Sequence, residues 1–227
     1  MTDKSPLSRR YFMCMPPLAA AALTVGGAEV KEPPIPSPDY TIPENAFHGR
    51  DENRRDWSGD PRSGNVVFVS QCVLNQNARI LSAANFPAML DPLVDYLQKT
   101  QTGVIQIPCP ELYCIGLGRR AVRVGLESPA GMKRLQRLID DLVFTIHEYL
   151  FQELQVVGIL SMDGSPSCGV SRTWLEGRQQ DGQGVFIREL KKRLAVEELD
   201  IPVIGVAHDK QNVAIQWLEQ KLQKSVI

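Results

Sequence analysis

The chain has 227 residues, with 25 basic and 26 acidic side chains, a net charge of -1, 43% hydrophobic residues and 22% charged ones. Balanced charge excludes a general attraction to nucleic acid or to an anionic membrane surface, and the hydrophobic content is enough for one sizeable core. Five cysteines are too few for a disulfide scaffold and lack the paired spacing of zinc knuckles, so metal or redox chemistry is the starting expectation.

Ser8-Arg9-Arg10-Tyr11-Phe12-Met13 fits the twin-arginine pattern, and an apolar stretch from Met13 to Val25 leads into the small residues Gly26-Gly27-Ala28. Residues 1–28 are therefore expected to be a twin-arginine signal segment and the protein to be exported to the periplasm, with a cytoplasmic location as the alternative. The apolar run is too short for a membrane span. Residues 29–64 hold Pro33, Pro34, Pro36, Pro38, Pro43 and Pro61 among many charges and read as a Pro-rich linker. His48 lies alone in that linker and reads as a solvated residue.

Residues 65–227 read as a single α/β domain in which strands and helices alternate. Asn65 to Val69 is a continuous apolar run, as in a strand covered on both faces, and it opens into Ser70-Gln71-Cys72-Val73-Leu74-Asn75-Gln76-Asn77. Asn85 to Gln101 carries Met89, Leu90, Leu93, Val94 and Leu97 at helical spacing, which predicts a helix with Pro87 in its first turn. Gly103 to Ile107 is a second strand, ending at Cys109-Pro110-Glu111. A long irregular segment with Arg119, Arg120 and Arg123 follows, and Ser128-Pro129 then starts a helix predicted to run to about Gln155.

Val156 to Leu160 is a third strand, closed by the turn formers of Asp163-Gly164-Ser165-Pro166-Ser167-Cys168-Gly169. Beyond it lie Trp174, read equally as a cover for a site or as a packing residue, and a loop rich in glutamine and glycine. A helix from Val185 to about Leu199, a strand from Ile201 to Ala207 and a last helix to about Lys224 complete the reading.

The expected fold is thus a three-layer, Rossmann-like α/β domain with a mainly parallel sheet of about four to five strands. In such a sheet the strands end on one rim, so Cys72, Cys109 and Cys168 share it. If the first strand lies between the second and third, their loops converge on an object about 10 Å across, given strands about 4.8 Å apart. Three thiolates from three loops suit an iron-sulfur cluster, with zinc as the alternative, and a missing fourth protein ligand leaves one metal position open to a substrate.

The motifs Ser70-Gln71-Cys72, Cys109-Pro110-Glu111 and Ser165-Pro166-Ser167-Cys168-Gly169, in this order on alternating strands and helices, resemble those of the thiouracil desulfurase-like family. The resemblance spans about Asn65 to Ala207 and implies a 4Fe-4S cluster on Cys72, Cys109 and Cys168. It further implies a small thiolated molecule as substrate, which exchanges its thiocarbonyl sulfur for oxygen at the open iron, with no nucleic acid as partner. In that reading Glu111, Ser165 and Ser167 are catalytic, and Asn75, Asn77, Ser161 and Arg119 bind substrate. The family pattern Cys-Leu-Leu-Gly reads Cys72-Val73-Leu74-Asn75 here, and Cys114 is additional. Were Cys114 a fourth ligand, a non-catalytic iron-sulfur or redox module would be the alternative.

Overall fold

The computed structural model describes residues 60–223. The expected signal segment, His48 and most of the expected linker lie outside the described residues. The elements run β1 (Asn65–Ser70), α1 (Gln71–Leu74), a 3-10 turn (Gln76–Ala78), α2 (Asp91–Lys99), β2 (Gly103–Ile107), α3 (Pro110–Ile115), α4 (Val122–Glu127), α5 (Pro129–Phe151), β3 (Gln155–Met162), β4 (Arg172–Leu175), β5 (Arg178–Asp181), α6 (Val185–Val196), β6 (Val203–Val206) and α7 (Gln211–Gln223).

The main sheet is parallel, with strand order β2-β1-β3-β6, and β4 and β5 form a separate antiparallel hairpin. The chain steps from β1 to β2 in one direction and then crosses back over β1 to reach β3. Because parallel crossovers are right-handed, opposite steps send their helices to opposite faces of the sheet. The packing agrees: α2 lies against α7, while α3, α4 and α6 gather around α5. This is the three-layer arrangement, and its change of direction falls between β1 and β3, the position beyond whose carboxyl ends open α/β sheets bind their ligands.

The core is built on the two central strands. Val67, Phe68 and Val69 of β1 and Ile159 and Leu160 of β3 are fully buried, as a strand covered on both faces requires. Each large apolar side chain so buried contributes about 1.5–3 kcal/mol. Leu135, Leu138, Leu142 and Ile146 of α5 supply one covering face, and Phe68 meets the ring of Tyr149 edge-on at 6.2 Å between centroids. On the other face, a Cβ at Gly158 would stand 2.7 Å from the ring of Trp217 and 2.8 Å from the carbonyl of Pro202. A bare backbone there, beside a register shift between β1 and β3, lets α7 lie close on the sheet.

Several expected boundaries move. The helix read from Asn85 begins only at Asp91, because Pro92 and not Pro87 takes the first turn. A helix from Asn85 would have set Pro92 in its interior, where it lacks an N–H and strikes the preceding turn. α5 ends at Phe151, with Glu153 at φ 60°, short of the expected Gln155. The segment read as irregular after Glu111 contains α3 and α4, and the loop after Gly169 contains the β4–β5 hairpin. Among the described residues, no helix is long and apolar enough to cross a membrane.

Candidate metal centre

The sheet brings the three cysteine segments to one rim. Ser70 of β1 pairs with Ile107 of β2, so Cys72 and Cys109 stand at matching positions two residues beyond their strands. Neither lies in an open loop, as had been expected. Cys72 is in the single turn of α1, and Cys109 is the N-cap of α3, where Pro110 presets the first helical turn. As an N-cap its side chain makes no capping bond, which leaves the sulfur for other partners. Its own backbone N–H donates to Oε1 of Gln71 at 2.8 Å, tying the second cysteine to the first segment.

Cys168 arrives by a longer route, in a turn held from several sides. The carboxylate of Asp163 accepts from the backbone N–H groups of Val170, Ser171 and Arg172 at 2.9, 3.0 and 2.9 Å, and from the Ser171 hydroxyl at 2.6 Å. Burial works to raise the Asp163 carboxyl, but these donors outweigh it and hold it below the ordinary carboxylate range. The first turn of α6 completes the frame: Val185 N–H donates to the carbonyl of Pro166, and Phe186 N–H to that of Ser167. Helix donors that would lack partners are thereby satisfied by the cysteine turn itself. This contact needs glycine, since a Cβ at Gly184 would sit 2.3 Å from the Ser167 carbonyl and one at Gly169 would sit 2.0 Å from that of Arg172.

At the centre of the rim is Glu111, in the first turn of α3 and 7% exposed. Its Oε1 accepts from the hydroxyls of Ser167 at 2.7 Å and Ser165 at 3.3 Å, and its Oε2 accepts from Nε of Arg119 at 2.8 Å. Arg119 also donates from Nη2 to the Ala78 carbonyl at 2.8 Å and to Sγ of Cys109 at 3.7 Å. The Ser167 hydroxyl lies 3.4 Å from Sγ of Cys168. Glu111, Ser165, Ser167 and Arg119 thus form one network with two of the three thiols.

The other expected residues lie apart from that network. Ser161 is fully buried; its hydroxyl donates to the Cys168 carbonyl at 2.8 Å and lies 3.2 Å from that of Ser70, so it holds the turn against the strand ends. Asn75 and Asn77 are exposed, and Oδ1 of Asn75 accepts from the backbone and side-chain amides of Asn77 at 3.0 and 3.1 Å. Trp174, on β4, is 48% exposed.

The four described cysteines are all free. Burial pushes the Cys72 thiol up to about 12, against the guanidinium of Arg79, and Cys109 and Glu111 push it in the same direction as burial. Cys109 is raised chiefly by burial, and Cys168 well above the ordinary thiol value by burial and by the charges of Cys72 and Cys109. Three thiols raised chiefly by burial, two of them also by a neighbouring thiol, are costly as anions, and a cationic centre among them would remove that cost. Cys114 is raised by burial to about 11, with Arg134 opposing and Cys109 adding, and like Cys168 it packs in the hydrophobic core.

By its chemistry the donor set, three free thiols on three segments, suits an iron-sulfur cluster, whose ligands are thiolates. Among the described residues, no group of three or more His, Cys, Asp or Glu side chains is gathered closely enough to hold a metal ion.

Sequence reasoning passed over Gln71, Gln76, Asp163 and Gly184. Asp163 stood in plain view as a turn former, and an aspartate followed by several potential backbone donors was the signal for its role. Gln76, 1% exposed, binds the Cys72 carbonyl through Nε2 and accepts from Asn85 N–H at 3.0 Å, a burial that no local pattern reveals.

No protein-family model matches the chain. The chain is similar to an uncharacterized protein of Methanocaldococcus jannaschii, 21% identical over 162 residues that make up 71% of this chain and 96% of that one. Among solved structures it is similar to the 4Fe-4S-dependent thiouracil desulfidase TudS, at 20% identity and a TM-score of 0.44, over 69% of this chain and 99% of that one.

Proposed function

We propose that the chain carries a 4Fe-4S cluster on Cys72, Cys109 and Cys168 and uses it to remove sulfur from a small thiocarbonyl compound. The observation that carries this reading is that three free thiols follow adjacent parallel strands and that two of them, Cys109 and Cys168, share one network with a buried carboxylate that accepts two serine hydroxyls. The resemblance of the cysteine motifs to thiouracil desulfurases supports it. When bound, a cluster held by Cys72, Cys109 and Cys168 would supply a Lewis-acidic iron with a position open to the substrate's sulfur.

The net change is exchange of sulfur for oxygen: a thiocarbonyl and one water give the oxo compound and hydrogen sulfide, with no change in overall redox state. The protein's own residues handle the protons. Water loses a proton through Ser167 to Glu111 as its oxygen bonds to the thiocarbonyl carbon, and the same carboxyl returns it to the sulfur as the carbon–sulfur bond breaks; the hydroxyl proton left on the new oxygen follows by the same route, so that the sulfur leaves as hydrogen sulfide. Ser165, 3.2 Å from the Ser167 hydroxyl, gives the relay a second acceptor and donor. The apolar packing beneath Cys168 limits bulk water to the outer side of the rim.

Anaerobic reconstitution with iron and sulfide tests the reading. The expected product is a brown protein with about four irons, lost in Cys168→Ala. Glu111→Gln is expected to keep the colour while sulfide release from a thiolated pyrimidine falls by about 100-fold or more. A colourless protein, or a Glu111→Gln variant that releases sulfide at the native rate, overturns it. Cys114→Ser is expected to keep both cluster and activity; loss of the cluster would instead favour an electron-transfer module with four cysteine ligands.

A further inference from the structure

Arg119 was expected to meet substrate, but its surroundings assign it another task. It is 8% exposed, and its donors are directed at the protein: Nε to Glu111, Nη2 to Ala78 and Cys109, and Nη1 to the Leu117 carbonyl at 3.4 Å. Each contact lies on a different part of the rim. Ala78 ends the 3-10 turn behind Cys72, Cys109 is itself in the ligand set, and Glu111 reaches through Ser165 and Ser167 to the turn of Cys168.

We propose that Arg119 is a positioning residue that clamps the Glu111 carboxylate to the sulfur of Cys109 and to the segment behind Cys72, so that the proton carrier and the cluster ligands are held as one body. This rests on the cluster reading above. A planar fork with several fixed N–H directions can serve three acceptors at once, which a lysine ammonium on a flexible stem cannot reproduce. The N–H aimed at the cysteine sulfur adds a second effect. A hydrogen bond and a positive charge at a cluster ligand both favour the reduced cluster.

The test uses the full chain, reconstituted, as Arg119→Gln and Arg119→Lys. Arg119→Gln is expected to move the cluster's midpoint potential, read by an EPR-monitored titration, to more negative values. It is also expected to lower kcat about 10- to 100-fold with KM unchanged. Arg119→Lys is expected to recover part of the potential and little of kcat. A native potential and kcat in Arg119→Gln overturns the proposal, and so does a change in KM alone, which would make Arg119 a substrate contact.

Should Arg119→Gln fail to fold, Arg119→Lys decides: reduced kcat at native iron content supports the clamp, and native kcat overturns it. Should the native protein hold a cluster but release no sulfide, the desulfurase reading falls and the potential shift still decides for Arg119. Should no cluster bind, hydrogen exchange on the metal-free variants decides. Faster exchange at residues 76–79 and 109–111 together supports the clamp, and unchanged exchange overturns it.

Discussion

The turn that carries Cys168 and the segment that follows Cys72 end on the same rim but are built in opposite ways. The Cys168 turn is fixed by backbone: a carboxylate gathers three N–H groups, a helix start takes two carbonyls, and two glycines admit contacts that exclude a Cβ. The Cys72 side, from Asn75 to Leu90, has backbone ties near its two ends, where Gln76 N–H donates to Ala88 and Leu90 N–H to Val73, and a local turn, Ala83 N–H to Ile80, between them. Gln76 bridges Cys72 and Asn85, and Arg119 holds Ala78 from across the rim. Between them, Leu81 is 95% exposed and Ser82 takes φ 67°. On the proposed cluster reading, a rim with one rigid wall and one loosely tied wall would hold ligand geometry on one side while leaving the other to adapt, as binding loops on a rigid scaffold do.

The rigid wall is broken most severely at its glycines. Gly169→Ala and Gly184→Ala each drive a Cβ into backbone that has no rotamer by which to yield, and a loss of about 3 kcal/mol or more is expected from the urea midpoint. Gly118→Ala sets the scale, because no heavy atom lies within 4 Å of its added Cβ. Its midpoint should shift by less than about 0.5 kcal/mol. Similar losses at all three positions would mean that the Cys168 turn is no tighter than the segment between Glu111 and Arg119.

Asp163→Asn acts on the same wall through hydrogen bonds and not through overlap. Asparagine keeps one acceptor oxygen of similar shape but loses the charge shared by four donors, at a cost of about 2 kcal/mol at neutral pH, moderated by partial exposure of the site. The sign with pH follows from the depressed carboxyl. Its contribution is complete above the ordinary value of 3.8 and is lost as pH falls through the lower value of the folded state. The gap between native and Asp163→Asn urea midpoints should therefore close in strong acid; a gap that persists there would assign the loss to shape and not to charge.

The same contrast explains what could be read from the sequence. The strands were legible because a parallel sheet covered on both faces leaves continuous apolar runs, as at Asn65–Ser70 and Gln155–Met162. Cys72 and Cys168 were legible because each follows such a run, whereas Cys109 follows β2, a mostly exposed edge strand whose pattern is weaker. Glu111 lay two residues beyond Cys109, and its serine partners, Ser165 and Ser167, lie just before Cys168 in the same turn. The rest depends on long-range placement. The Arg119 guanidinium meets Ala78 only because the chain folds back across 41 positions, and local spacing carries no trace of that. The helix starts at Asp91 and Pro110 were governed by which proline took the first turn, a choice that periodicity alone leaves open.

The loosely tied wall is sharpened by the smallest change, Gln76→Ala. Gln76 is buried, yet one of its partners, Asn85, is exposed, so water can replace the bond to that N–H once the side chain is gone. The Cys72 carbonyl loses its Nε2 donor as well, while the backbone tie from residue 76 to Ala88, at 2.6 Å, remains. The expected cost is about 1 kcal/mol. It should be felt locally, as an exchange rate at Asn85 N–H raised about five-fold while amides of β1 and β3 keep native protection. Equal acceleration in the strands would mean that this segment and the sheet open together, and the distinction between the two walls would then be one of geometry without a difference in stability.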